Sequence, residues 1–177
     1  MIKTLKCYAG DISYNEDLKF IEANILHYGV ANENRWRPMP GCLDAFFERL
    51  NAAGKGVAAC YQHDETQLIG VWREFETSAE GVLSGKLYFV ETPFVRDTVI
   101  PQVQAGILQG ASPTIAPYKM KFGADDVEEI TEGVLCEVSL VGLPADFEAD
   151  ILRMSAKLEA SKREQEENNF EINLLTV

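Results

Sequence analysis

A chain of 177 residues with 46% apolar content fits one domain and can close a hydrophobic core. Its 16 basic residues against 28 acidic ones leave a net charge of −12, which argues against a nucleic-acid-binding surface. Four scattered cysteines with no CxxC pair, two histidines, and no apolar run approaching the roughly 20 residues of a membrane helix argue against a zinc site, a disulfide framework and a membrane span.

No apolar leader follows Met1-Ile2-Lys3, so the expectation is a soluble, cytosolic protein with no cofactor or metal. Residues 2–8 read as a short strand and residues 10–17 as a polar loop. Residues 20–31 alternate as a strand, with Ile21, Ala23, Ile25 and His27 opposed by Glu22, Asn24, Leu26 and Tyr28. Loops are expected at 32–35 and 38–41, then a helix at 43–51 with Leu43, Phe46, Phe47 and Leu50 on one face.

Strands follow in quick succession: 57–62, 68–76 after a short polar turn, and 81–91. A helix is expected over 99–109, with Thr98 as its cap, Pro101 in its first turn and Gly110 at its end. Residues 111–120 return to extended structure. Residues 127–131 and 134–141 read as two strands of a hairpin around Glu132-Gly133. Beyond Pro144, Phe147, Ile151, Met154 and Leu158 fall at helical spacing, followed by a polar stretch at 161–169 and an apolar end at 170–177.

This pattern predicts a mainly β protein with peripheral helices (α+β), built as a closed, mostly antiparallel barrel of about seven strands. Residues 1–152 would form that domain. Residues 153–177 would be a C-terminal amphipathic helix and tail, self-cleaved or in contact with a neighbouring subunit.

Chemistry enters at Glu137. The stretch 134–141 is apolar on both faces, as a central strand is, yet it carries one carboxylate in its middle. An ionised carboxylate costs several kcal/mol to bury without a partner, so Glu137 calls for a donor from elsewhere in the chain. His27 lies in a strand that needs no special role for it. His63 ends one strand and begins a turn, which exposes an edge of the ring; if the strand phase continues, it shares a face with Val57, Ala59 and Tyr61.

Ser112 follows Gly110-Ala111 at the start of a strand, with Pro113 biasing it toward extended backbone and offering no N–H. A lone serine there is ordinarily a turn residue. A serine becomes a nucleophile only beside a base, and that base needs an orienting partner. His63 supplies an imidazole suited to proton transfer near neutral pH, and Glu137 supplies the carboxylate. The thiol alternative, Cys60 or Cys136 working with His63, is the poorer one because both cysteines lie in apolar strands and are expected to fill core volume.

Four ordered segments carry a family resemblance over residues 20–152. They are Tyr61-Gln62-His63-Asp64 with Leu68-Ile69-Gly70; Gly81-Val82-Leu83-Ser84-Gly85-Lys86-Leu87; Ala105-Gly106-Ile107-Leu108-Gln109-Gly110-Ala111-Ser112; and Glu137-Val138-Ser139-Leu140-Val141 with Pro144-Ala145. In this order they resemble the prohead serine proteases of tailed bacteriophages, relatives of the herpesvirus assembly protease.

The resemblance implies a barrel of the herpesvirus protease kind and a triad of Ser112 as nucleophile, His63 as base and Glu137 as orienting acid. It also implies cleavage of the major capsid protein and scaffold segments, and of the enzyme itself, by a homo-oligomer inside the immature head in the host cytoplasm. Asp64 competes with Glu137 for the acid role, but neighbours on a strand point to opposite faces. Two features depart from the pattern: Pro113 stands where an N–H is usual, and Leu143-Pro144-Ala145-Asp146 stands where the herpesvirus relatives place arginines shortly after the third triad member. Backbone donors to an oxyanion after the strand would then be Ala145 or Asp146. The rival reading is a protease-derived scaffolding or assembly protein with weak catalysis.

Overall fold

The computed structural model describes residues 13–15, 20–32 and 35–142, with only the backbone described at 13–15. Its strands are β1 (Ser13–Asn15), β2 (Phe20–His27), β3 (Trp36–Pro38), β4 (Val57–Tyr61), β5 (Asp64–Thr77), β6 (Val82–Phe89), β7 (Gly110–Phe122) and β8 (Glu128–Val141); its α-helices are α1 (Asp44–Ala52) and α2 (Ile100–Gln104).

β8 is the organising strand. β7 runs antiparallel along its whole length, and the other edge is shared by two parallel partners: β3 beside Glu128–Ile130 and β4 beside Glu137–Leu140. From β4 the sheet continues through β5, β6, β2 and β1, each pair antiparallel. The N-terminal half of β8 alternates, with Ile130 and Leu135 inside and Thr131 and Cys136 outside; from Glu137 to Val141 both faces are covered.

The expected closed, mostly antiparallel barrel is therefore corrected: among the described residues the strands form an open, mixed sheet of eight. Closure needs an edge with donors to spare. β7 carries Pro113 and Pro117, which lack N–H groups and belong on a strand with one unpaired edge, and β1 at the other end of the order is three residues long. The mainly β character with few helices holds.

Several local expectations change too. β1 and β3 lie in segments read as loop or left unassigned. In β2 a bulge between Asn24 and Leu26 turns Leu26 inward with Ile21, Ala23 and Ile25. The expected hairpin at Glu132-Gly133 is absent because β8 runs straight through. A side chain at 133 would place its Cβ 3.0 Å from the Ala116 carbonyl oxygen, so this glycine marks a close approach of β7 rather than a turn. The hairpin between β7 and β8 closes instead at Gly123–Asp126, where the Gly123 N–H donates to Val127 O at 2.8 Å.

The helix expected over 99–109 starts and stops earlier. Val95–Val99 form a π-helical turn that leads into α2, so Thr98 lies within the helical segment rather than capping it, while Pro101 does sit in the first turn of α2. Gly106, at φ 67°, ends the helix in the left-handed conformation. α1 matches its expected span within one residue at each end; Phe47 packs on Phe75 of β5 with ring centroids 4.9 Å apart.

The core lies under this sheet, with Trp72, Ile21, Ile25, Leu87, Ile115, Ile130 and Leu140 fully buried. Trp72 reaches from β5 to donate its indole N–H to the Val138 carbonyl at 3.0 Å, tying β5 to the middle of β8. The residue-152 boundary and the C-terminal helix and tail fall outside the described residues.

Candidate active site

Among the described residues, the buried polar side chains are Ser112, Thr114, Glu137 and Ser139. They form one block. Ser112 and Thr114 are two apart on β7, Glu137 and Ser139 two apart on β8, and the register pairs Ser112 with Ser139 and Thr114 with Glu137. Period-two alternation puts all four on the same face of the β7–β8 pair.

His63 is delivered to this block from the β4–β5 turn. Tyr61 pairs with Asp64, leaving a two-residue connection of Gln62 and His63 with φ of 53° and 61°. Both values lie in the left-handed region, the signature of a type I′ hairpin, normally filled by Asn-Gly. Side-chain-bearing residues pay about 1–2 kcal/mol each for that conformation. β8 holds it in place: Gln62 N–H donates to Leu140 O at 2.9 Å, and His63 N–H donates to Ser139 Oγ at 3.1 Å. The expected strand phase linking His63 to Val57, Ala59 and Tyr61 is overturned by this turn and by bulges on either side of Cys60.

The turn brings the three sequence-selected residues together. His63 Nδ1 lies 3.0 Å from Glu137 Oε1, and His63 Nε2 lies 3.0 Å from Ser112 Oγ. Glu137 also accepts from Thr114 Oγ1 at Oε1 and from Ser139 Oγ at Oε2, the latter at 2.7 Å. Burial alone would push the Glu137 carboxyl up, but the hydrogen bonds from His63, Thr114 and Ser139 and the adjacent imidazole outweigh it and hold it below the ordinary carboxylate range. An ionised carboxylate only accepts, so Nδ1 carries the proton and Nε2 is free to accept from the serine hydroxyl.

Asp64 is placed elsewhere. Its carboxylate accepts from Thr66 N–H at 2.9 Å, from the Thr66 hydroxyl and from Gln67 Nε2 at 2.7 Å, which hold it below its ordinary value at the exposed start of β5. Cys60 is buried, and burial followed by the nearby Glu137 carboxylate pushes its thiol up to about 11, a poor setting for a thiolate. Cys136 is exposed, which corrects its expected place in the core: it falls on the outward parity of β8, opposite Leu135 and Glu137. Ala145 and Asp146 lie outside the described residues. Sequence reasoning passed over Thr114 and Ser139 as partners of the acid; the available signal was their parity, each two positions from a residue already singled out.

A family model described as caudovirus prohead serine protease matches residues 12–164. Among solved structures, the capsid assembly protease of bacteriophage T4 resembles the chain in fold, with a TM-score of 0.57 and 16% identity over 81% of this chain and 95% of that one. No curated protein matches.

Proposed function

The chain belongs to the caudovirus prohead serine protease family, and we propose that it is a serine endopeptidase that cleaves capsid and scaffold segments during head assembly, with Ser112 as nucleophile, His63 as base and Glu137 as orienting acid. The observation that carries this reading is the unbroken line of contacts from Ser112 Oγ through both ring nitrogens of His63 to Glu137, each 3.0 Å long.

In the mechanism, Ser112 Oγ attacks the scissile carbonyl as His63 Nε2 takes its proton. The Nδ1–H stays on the ring and donates to Glu137, whose negative charge stabilises the imidazolium. Collapse of the tetrahedral intermediate breaks the C–N bond, and Nε2–H protonates the departing amine. A water then repeats the sequence on the acyl-serine: it gives its proton to Nε2, attacks the ester carbonyl, and releases the acid with the proton returned to Ser112. Pro113 has no N–H to offer the oxyanion. Ala145 and Asp146, which follow the strand that carries Glu137, are the proposed backbone donors. A phosphonate complex whose oxygen lies more than about 3 Å from both amides would remove them from that role.

The substrates proposed are the major capsid protein and scaffold segments within the immature head, and the enzyme's own chain, processed by a homo-oligomer. Co-expression with the capsid precursor tests this. Wild type should shorten the precursor and Ser112→Ala should leave it whole; equal processing by both would exclude Ser112 from the reaction.

A further inference from the structure

Ser139 stands between the base and the acid without belonging to the proposed triad. Its hydroxyl oxygen lies 3.1 Å from the His63 main-chain nitrogen and 2.7 Å from Glu137 Oε2, and the side chain is fully buried. The directions of both bonds follow from chemistry. A backbone N–H can only donate, so Ser139 Oγ accepts from His63; an ionised carboxylate can only accept, so the single hydroxyl proton of Ser139 goes to Glu137.

We infer that Ser139 is a positioning residue whose hydroxyl sets the His63 backbone and the Glu137 carboxylate against one another. This rests on the proposed triad and deepens it. His63 sits at φ 61°, a conformation a side-chain-bearing residue leaves readily unless the surroundings hold it. Gln62 N–H on Leu140 O anchors the first residue of the turn. At His63 itself, the main-chain N–H is held by Ser139. Thr114 contributes differently: it donates to Oε1 of Glu137 and orients the acid alone. Ser139 therefore links the position of the ring's backbone to that of its acid, and losing it lets the imidazole drift from Ser112.

The test is the rate at which a fluorophosphonate probe reacts with Ser112 in the full chain, resolved into a maximal rate and a half-saturating concentration. The isosteric pair Ser139→Thr and Ser139→Val, which differ in the hydroxyl, accompanies Ser139→Ala. The Ala and Val variants should lower the maximal rate roughly 10- to 100-fold, the scale of a misplacement near 1 Å, with half-saturation little changed. Thr should recover most of that loss. An Ala variant that reacts at the wild-type rate overturns the inference, as do Thr and Val variants that slow equally, since volume rather than the hydroxyl would then be the cause. If the wild type itself is not labelled at Ser112, the proposed triad fails and this inference with it; labelled wild type with an unaffected Ala variant sinks the inference alone.

Discussion

His63 Nε2 meets Ser112 Oγ at 3.0 Å although 49 positions separate the two residues and neither strand flanking the His63 turn is paired with β7. The distance is set by a strand to which neither belongs. β8 takes β4 in parallel on one edge and β7 antiparallel on the other, so the turn that ends β4 and the start of β7 arrive at the same end of β8 from opposite sides. The site is thus a property of the mixed pairing, and changes to β8 reach it directly.

Replacing Glu137 by Gln keeps the shape of the acid but offers an amide N–H to Nδ1. The favoured tautomer would then carry its proton on Nε2, where it cannot accept from Ser112. The expected loss in kcat is about 10³- to 10⁴-fold with the fold retained, the scale seen when a triad acid becomes its amide. Steady-state kinetics beside circular dichroism would check it, and a loss below tenfold would deny Glu137 the orienting role.

The same carboxylate gives stability a pH dependence of known sign. Glu137 binds its proton less tightly folded than unfolded, so its contribution is fully present above the unfolded glutamate value of about 4.3 and is lost as pH falls through the lower folded value. Urea unfolding from pH 7 down to pH 3 should show wild type losing stability more steeply below about pH 4.5 than Glu137→Gln. Parallel curves for the two would contradict the assignment.

Cys60 lies beside the site, and burial raises its thiol to about 11. Cys60→Ala should therefore keep most of the cleavage activity, and iodoacetamide at pH 7.5 should leave the wild type active. Stoichiometric inactivation through Cys60 would revive the thiol alternative.

Trp72 supports the site from beneath. Trp72→Phe removes the hydrogen bond to Val138, the neighbour of Glu137, and leaves a void in the core. A destabilisation of about 2–4 kcal/mol is expected, read as a lower urea midpoint with an unchanged slope. An unchanged midpoint would show that the indole is not anchoring β8.

Much of the site could be read in the chain because buried charge is rare: Glu137 in an apolar strand demands a donor, and few groups could supply one. Period-two parity also places Thr114 with Ser112 and Ser139 with Glu137. Edge pairing could not be read this way, since alternation reports which face is buried and is silent on which strand lies alongside. The parallel contact of β4 with β8 joins segments separated by two intervening strands, a helical segment and β7, with no local pattern to announce it. Glu132-Gly133 resembles a turn because glycine is common in turns; here it is excluded from having a side chain by Ala116 across the ladder. His63 in a left-handed turn is likewise a tertiary outcome, held by β8 against the preference of the residue itself.

The central claim is that His63 activates Ser112. Peptide mapping by mass spectrometry after exposure to a fluorophosphonate measures it most directly. Wild type should carry one phosphonyl group, on Ser112, and His63→Ala should carry almost none over the same time. Modification of a different residue, or equal labelling of Ser112 in the His63→Ala variant, would contradict the account.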